Sequence, residues 1–187
     1  LSRPVQRADV RSVWVGLRPL VAAPDTGAGG TKALSREHTI VVDDNAMLTV
    51  TGGKWTTYRA MAEDVMAHLF DAGLLPRRSG DTTARHILHG APHRADIPIQ
   101  AGPGPHMFGS DIDAIRVLPG AGNALGMGLT EAMVRFMVRC EHALTVEDVL
   151  ARRWRALFLD AAEAARMAPA VADLMTQEGV ADPALDA

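Results

Sequence analysis

The stretch LTVTGGKWTTYRAMAEDV, residues 48–65, changes its pattern halfway along. Its first part alternates apolar and β-branched residues, which is typical of a strand. Gly52 and Gly53 interrupt that strand, and the apolar residues that follow recur at helical spacing. The stretch therefore predicts a strand that passes through a tight turn into a helix over roughly residues 56–72.

This turn is also a candidate binding site. Glycines let a ligand approach the backbone closely. A helix N-terminus presents free N–H groups and a partial positive charge, which suit a phosphate or the carbonyl edge of a ring cofactor. Lys54 adds a full positive charge at the same place. An ordinary turn with a solvated lysine explains the same residues, so both interpretations stay open.

Two arginines flank predicted strands. Arg18 follows the run DVRSVWVGL, residues 9–17, and Arg36 precedes HTIVVDD, residues 38–44, which is expected to pair as a hairpin with residues 47–51. Guanidinium groups that converge with Lys54 on one pocket would suit an anionic substrate such as a phosphate ester. Taken singly, each arginine also fits a solvated surface cation.

The composition of the 187 residues limits the classes of function. A net charge of -3 argues against nucleic-acid binding. With 48% hydrophobic and 22% charged residues, the chain has the balance of a globular protein. No apolar run reaches the roughly 18 residues of a membrane-spanning helix, and no signal peptide is recognisable. The single cysteine, Cys140, excludes an internal disulfide and is predicted to be a buried thiol.

The last third of the chain is predicted to be helical. Thr130 is expected to begin a helix to about Ala143, and Thr145 with Asp148 has the spacing of a capping box. A final helix is predicted over roughly residues 161–177, kinked or split by Pro169. A change of composition near residue 80 separates an α/β part from a helical part, which predicts an α+β fold.

Two further motifs carry no functional prediction. GAGNALG, residues 120–126, is close to a dinucleotide fingerprint, but it follows a predicted helix and its spacing is one residue too long, so a loop is predicted. A second candidate, the three histidines His86, His89 and His93, has no carboxylate at a fixed offset, so no metal site is predicted there.

Several segments together resemble a known family. SVWVGLRPL (12–20), SREHTI (35–40) and LTVTGGKWTTYRAMAEDV (48–65) resemble, in order and spacing, the C-terminal part of the FAD-dependent glycerol-3-phosphate dehydrogenases. FGSDIDAIRVL (108–118) and VRCEHALTVEDVLARRWRALFLDAAEA (138–164) resemble that family's helical C-terminal domain. The resemblance implies that residues 1–78 belong to the FAD/substrate-binding domain and that residues 79–187 form the helical domain.

The resemblance also implies an activity. The family oxidises sn-glycerol 3-phosphate to dihydroxyacetone phosphate with FAD and passes electrons to a membrane quinone. Arg18 and Arg36 would then hold the substrate, with Lys54 near its reacting oxygen. The expected location is the cytoplasmic side, peripherally on the inner face of the cell membrane. The residues expected to face the flavin ring are Gly52, Gly53, Lys54, Trp55 and Thr56.

Some parts of the family's active site are not found in this sequence, and other functions also stay open. The family's G-x-G-x-x-G motif for FAD and the segment with a histidine base are absent from these 187 residues, so the chain alone is expected to be an inactive part of a longer enzyme that does not retain FAD. A glycerol-3-phosphate oxidase, which passes electrons to oxygen, is the alternative enzyme. The helical part as a partner-docking or homodimer module stays open, as does membrane-surface contact by LFDAGLLPRR, residues 69–78.

Overall fold

A computed structural model describes residues 3–17, 37–78, 80, 82–91 and 101–180. The chain divides into two compact units, one comprising Gly16–Ile87 and the other Leu1–Val15 together with Leu88–Ala187. These units differ from the predicted ranges 1–78 and 79–187, and the assignment of those ranges to domains stays a prediction. The predicted α+β class is confirmed, because helices are combined with two small antiparallel sheets.

The unit Gly16–Ile87 contains the predicted hairpin and helix. Strand β1, His38–Val42, pairs antiparallel with β2, Leu48–Gly52, so that Ile40 lies opposite Val50. After β2 a short 3-10 helix, Trp55–Thr57, leads into α1, Tyr58–Asp71. The pattern change within residues 48–65 therefore marks a real change from strand to helix.

Helix α1 packs on β1, but this unit has little core of its own. Met61, Val65 and Leu69 share one face of α1 and are only half-buried. Among residues 37–78, 80 and 82–87, none is fully buried. Since a two-stranded hairpin is marginal by itself, the hairpin and helix rely on a small, partly exposed contact.

The strand predicted over residues 9–17 is wrong. A 3-10 turn, Arg7–Asp9, opens this segment, and residues 10–17 form no strand. A strand needs a neighbour that accepts and donates its backbone hydrogen bonds, and no strand within the described ranges pairs with this segment. Val13, Val15 and Leu17 are instead about nine-tenths exposed. Residues with a high β propensity favour an extended backbone, but they do not provide the neighbouring strand with which this segment would have to pair.

The second unit is mainly helical. A short hairpin pairs β3, Ala124–Gly126, with β4, Leu129–Thr130, and lies partly in GAGNALG, where the sequence predicts a loop, so the predicted all-helical character is incomplete. The helix at Asp148–Arg153 is a π-helix, and the last helix, α5 at Ala161–Gln177, continues through Pro169 without being split. In chain order the elements are a 3-10 segment Pro105–Asp111, α2 Ile112–Arg116, β3 Ala124–Gly126, β4 Leu129–Thr130, α3 Glu131–Glu141, the π-helix, α4 Ala156–Leu159 and α5 Ala161–Gln177.

The predicted helix start at Thr130 and the predicted capping box of Thr145 and Asp148 are both confirmed. The Thr130 hydroxyl accepts from the Met133 N–H at 3.4 Å and so caps α3. The Asp148 N–H donates to the Thr145 hydroxyl at 3.0 Å, while the Thr145 N–H donates to the Asp148 carboxylate at 3.0 Å. This reciprocal pair satisfies donors that the helix start leaves free.

An aromatic cluster forms the centre of the core. Trp154 is fully buried, and its indole Nε1–H donates to the Met127 carbonyl at 3.1 Å. Its ring stacks on Phe108 with centroids 6.1 Å apart, and Phe108 meets Phe136 edge-on at 5.7 Å. Cys140, predicted to be buried, is exposed because it lies in the last turn of α3, beyond the side chains that pack on this cluster.

A carboxylate joins the two long helices of this unit. Glu178, just after α5, accepts from Arg135 at 2.6 Å and from Arg139 at 2.5 Å, and both arginines lie on α3. The Glu178 side chain is only 7% exposed. Hydrogen bonding by Arg139, and then by Arg135, lowers the pKa of Glu178 from 4.5 to about 2. The ion pair therefore fastens the end of α5 to α3.

Acidification should weaken this ion pair. Because the folded-state pKa of Glu178 is below its ordinary value, its contribution is fully present above about pH 4.5 and is lost as the pH falls towards 2. We expect Glu178→Gln to lower the free energy of unfolding by about 1–3 kcal/mol near neutral pH. The difference from the wild type should shrink below pH 4.5. Urea denaturation across this pH range measures both effects.

Asp113→Asn is the matched control, because Asp113 pairs with Arg116 on the exposed surface of the same unit. An exposed pair contributes about 0–1 kcal/mol, so this variant should unfold nearly like the wild type. A Glu178→Gln difference that stays constant down to about pH 3 would contradict the role given to the carboxylate.

Candidate functional site

The turn at Gly52–Gly53 has a backbone that only glycine adopts easily. Both residues have positive φ, 77° at Gly52 and 83° at Gly53. A Cβ at Gly52 would lie 2.7 Å from the Glu37 carbonyl oxygen, and one at Gly53 would lie 2.6 Å from the Met61 sulfur. The sharp connection between β2 and the helix therefore requires glycine at position 52, and the positive φ of Gly53 also favours glycine there.

The residues after the glycines form an open backbone segment. Lys54 is extended, and its carbonyl accepts from both the N–H and the hydroxyl of Thr57, each at 3.0 Å. Within the described parts of the chain, no hydrogen bond is made by the backbone N–H of Lys54, Trp55 or Thr56. All three residues are exposed, and the Lys54 ammonium has no ion-pair partner among those same parts. The turn thus offers three neighbouring N–H donors beside a cation.

Trp55 adds a large aromatic surface to this segment. Its side chain is 88% exposed, and its ring stacks on Tyr58 with centroids 5.9 Å apart and an interplanar angle of 29°. Stacking fixes the indole relative to the first turn of α1. An exposed, oriented aromatic ring beside free donors is suited to contact with a planar ligand.

A histidine–carboxylate pair joins the strand and the helix that flank the turn. The His38 Nε2 of β1 lies 2.7 Å from the Asp64 carboxylate of α1. The pair ties the strand and the helix together next to Gly53, where an added Cβ would come within 3.1 Å of the His38 Cβ. The sequence predicts Asp64 only as part of the polar face of the helix. No sequence signal joins two residues 26 positions apart, so sequence reasoning misses this pair.

The two predicted substrate arginines, Arg18 and Arg36, lie outside the described residues, as does the Gly-rich stretch 22–33. The residues predicted to contact the cofactor, Gly52–Thr56, do lie together in one turn. The expected convergence of both arginines with Lys54 stays a prediction.

A groove of about 790 Å³ runs along the exposed side of α1. Phe70, Leu75 and Pro76, from the segment considered for membrane contact, contribute to its lining. The Arg77 guanidinium lies 5.7 Å from the Phe70 ring centroid and also pairs with Asp71. No helix in the described ranges is both long and apolar enough to cross a bilayer. Membrane-surface contact by this segment stays a prediction.

A smaller cleft of about 190 Å³ lies in the helical unit, between the His89–Gly90 turn and the end of α3. Asp111, Cys140 and Glu141 line it, and burial raises the pKa of Glu141 against the opposing effect of Arg153. Nowhere in the described part of the chain do three metal-ligating side chains come together, and His93 lies outside that part. The turn at Gly52–Thr56 is therefore the better candidate site.

Comparison with known proteins shows what the chain is similar to. Residues 107–184 match the family described as the C-terminal domain of alpha-glycerophosphate oxidase. The chain is 32% identical, over 95% of its length, to a mitochondrial glycerol-3-phosphate dehydrogenase of Arabidopsis thaliana, of which it covers 33%. It is 35% identical over 93% of its length to a probable mitochondrial glycerol-3-phosphate dehydrogenase of Caenorhabditis elegans, of which it covers 27%.

The human mitochondrial glycerol-3-phosphate dehydrogenase gives a similar result, with 31% identity over 93% of the chain and 26% of the relative. The chain thus spans a third or less of the length of these three relatives. Its helical unit carries a C-terminal domain of the alpha-glycerophosphate oxidase type. Residues 107–184 therefore belong to the family of that C-terminal domain, and the chain as a whole is similar to the C-terminal part of glycerol-3-phosphate dehydrogenases.

The glycine requirement can be tested on stability. We expect Gly52→Ala to destabilise the Gly16–Ile87 unit by about 2–4 kcal/mol, because it adds a backbone clash to the strain of positive φ. Gly73→Ala is the matched control, since Gly73 has φ 70° but open space around its Cβ position. It should cost only about 1 kcal/mol. Hydrogen exchange of β1 and β2 measures both, and equal protection in the two variants would disprove the clash.

Proposed function

We propose that this chain is the C-terminal part of an FAD-dependent enzyme that oxidises sn-glycerol 3-phosphate to dihydroxyacetone phosphate and passes electrons to a quinone. Similarity to glycerol-3-phosphate dehydrogenases along 93–95% of the chain supports the reaction. The observation that carries the role of this chain in it is the open turn at Gly52–Thr56, where three backbone donors next to Lys54 have no partner among the described residues.

The residues of this turn fit a flavin ring. The carbonyl edge of such a ring accepts hydrogen bonds, and Lys54, Trp55 and Thr56 each have an N–H without a partner among the described residues. When bound, FAD supplies the acceptor for the two electrons removed from the substrate. The donors and the Lys54 ammonium stabilise negative charge on that side of the site, where it develops during the reaction. Gly52 and Gly53 keep the backbone accessible.

Substrate binding falls to the cationic side chains in this proposal. Arg18 and Arg36 hold the phosphate through paired guanidinium hydrogen bonds, which match the geometry of phosphate oxygens. Lys54 lies near the reacting oxygen of the substrate and favours its loss of a proton. We further propose that the 187-residue chain by itself neither retains FAD nor turns over substrate, and the absorbance spectrum of the purified chain tests this.

The proposal includes a location and an electron acceptor. We propose that the whole enzyme lies on the cytoplasmic side, peripherally on the inner face of the cell membrane, where a membrane quinone is within reach. The apolar groove beside α1, flanked by Arg77 and Arg78, supports surface contact of this kind. The relatives described above are named as mitochondrial enzymes. Fractionation tests the location of this protein, since a peripheral protein is found with the membranes and is released from them by high salt.

The substrate role of Arg18 is testable in the full-length enzyme. We expect Arg18→Ala to raise the KM for glycerol 3-phosphate about 100-fold, because loss of a charge-assisted phosphate contact costs about 2–3 kcal/mol. Flavin content should stay unchanged. Steady-state kinetics and the flavin-to-protein absorbance ratio measure these quantities. Arg116→Ala is the control, since Arg116 lies on the exposed surface of the helical unit. An unchanged KM in Arg18→Ala would rule out the substrate role.

A glycerol-3-phosphate oxidase is the second candidate. The family that matches residues 107–184 is described as the C-terminal domain of an oxidase, alpha-glycerophosphate oxidase. The two candidates differ in their electron acceptor. We expect the full-length enzyme to reduce a soluble quinone analogue at least 10-fold faster than it forms hydrogen peroxide, a barrier difference of about 1.4 kcal/mol. Parallel assays of quinone reduction and peroxide formation decide between them, and a dominant peroxide yield would favour the oxidase.

A further inference from the structure

The glycine pair of the candidate turn needs neighbours that hold it in one conformation. Gly52 and Gly53 both have positive φ, and glycine adopts many other backbone conformations at little cost. The N–H groups of residues 54–56, which have no partner among the described residues, follow directly after the pair. Whatever packs against Gly53 therefore decides where these three donors point.

Gly53 lies between a strand side chain and a helix side chain. A Cβ built on it would lie 3.1 Å from the His38 Cβ of β1 and 2.6 Å from the Met61 sulfur of α1. In the β1–β2 ladder, His38 is the register partner of Gly52. The space that is left for the Gly53 backbone is thus set by the distance between β1 and α1.

A hydrogen bond between His38 and Asp64 fixes that distance. The His38 Nε2 lies 2.7 Å from the Asp64 Oδ2, and Asp64 follows Met61 by about one turn of α1. Because a carboxylate only accepts, the Nε2–H donates. The Nδ1 of His68, also on α1, lies 3.5 Å from the other oxygen of Asp64. The carboxylate is therefore held between two imidazoles, and the one from the strand joins β1 to the helix.

This hydrogen bond contributes more to position than to global stability. The side chain of His38 is 26% exposed and that of Asp64 is 45% exposed. A pair with this exposure adds little to the stability of the fold, since water competes for both groups. Loss of the pair should therefore shift the strand relative to the helix at Gly53 and leave the unit folded.

We propose that His38 and Asp64 are positioning residues for the flavin site, because their hydrogen bond holds the Gly53 backbone and so aims the N–H groups of residues 54–56. This inference rests on the proposed function, in which those groups donate to the carbonyl edge of the flavin ring. Both side chains act through the backbone of the turn. A small displacement of such donors weakens their stabilisation of the charge that develops during the reaction.

The test uses the full-length holoenzyme with Asp64→Ala and His38→Ala. Alanine favours the helix, so Asp64→Ala removes the hydrogen bond without weakening α1. We expect each variant to lower the single-turnover rate of flavin reduction by glycerol 3-phosphate about 5- to 20-fold. The KM should change less than about twofold, because ground-state binding is kept. The double variant should be no worse than either single one, since both break the same contact.

Two further measurements report on the turn itself. Sulfite adds to an oxidised flavin and leaves negative charge on its carbonyl edge, so the dissociation constant of that adduct should rise about 5- to 20-fold in Asp64→Ala. Hydrogen exchange is compared between the holoenzyme and the enzyme from which FAD has been removed. FAD should protect the amides of residues 54–56 in the wild type, and Asp64→Ala should lose part of this protection.

Three control variants separate positioning from a general loss of structure. Glu63→Ala removes the neighbouring carboxylate of α1, which pairs with Arg59 on the same helix, and His68→Ala removes the other imidazole at Asp64. Both should stay within about twofold of the wild type in rate and in sulfite binding. His38→Gln offers an amide N–H to Asp64 in place of the Nε2–H and should restore the rate to the same range.

The results that would overturn the positioning role are equal effects of Asp64→Ala and either alanine control, or a His38→Gln variant as slow as His38→Ala. The exchange data also separate this inference from the proposed function. If FAD leaves the exchange of residues 54–56 unchanged in the wild type, the flavin role of the turn fails and the positioning role fails with it. If FAD protects these amides equally in the wild type, Asp64→Ala and His38→Ala, only the positioning role is overturned.

Discussion

Burial of the Trp154 indole is the constraint on which the helical unit depends. A fully buried N–H needs an acceptor, and the Met127 carbonyl supplies it from the turn between β3 and β4. That turn has positive φ at both Met127 and Gly128, 47° and 77°, as in the tight hairpin turns that match strand twist. A Cβ at Gly128 would lie 3.6 Å from the Trp154 ring. The short hairpin therefore forms one side of the pocket that holds Trp154 and supplies the hydrogen-bond acceptor for its indole N–H.

The two units differ in how fully they bury their own side chains. The helical unit surrounds Trp154 with Phe108 and Phe136 and closes its helices with caps and the Glu178 ion pair. The other unit has no fully buried residue among those described, although Met61, Val65 and Leu69 share one face. The candidate site lies in this less buried unit. Its shape is therefore held by the glycine turn and the His38–Asp64 contact more than by a core.

Local sequence patterns are sufficient where the determinant is itself local. The hairpin and the helix in residues 38–71 are predicted correctly because alternation, a glycine pair and helical spacing follow one another within a few residues. The capping pair Thr145 and Asp148 is found for the same reason, since its two hydrogen bonds span only three residues. For the candidate site, the turn itself is predictable, as are the residues that it exposes.

Prediction fails where a distant partner decides the outcome. Residues 9–17 have the composition of a strand, but pairing depends on a neighbour elsewhere, and the segment instead contacts the α4–α5 junction through Arg11 and Trp14. Cys140 follows the buried residues of α3 at helical spacing, but the last buried residue of that helix is Met137, about one turn before the cysteine. His38 and Asp64 are brought together only by the packing of a helix on a strand.

The position of Glu178 sets a limit on where the chain can be shortened. A chain ending at Gln177 would keep every helix described above, since α5 closes at that residue. It would nevertheless lose the carboxylate shared by Arg135 and Arg139, which lie four residues apart on α3. Two like charges at this spacing repel each other, and Arg135 is only 13% exposed, so water compensates it poorly. A boundary drawn by secondary structure alone would thus cut one residue too early.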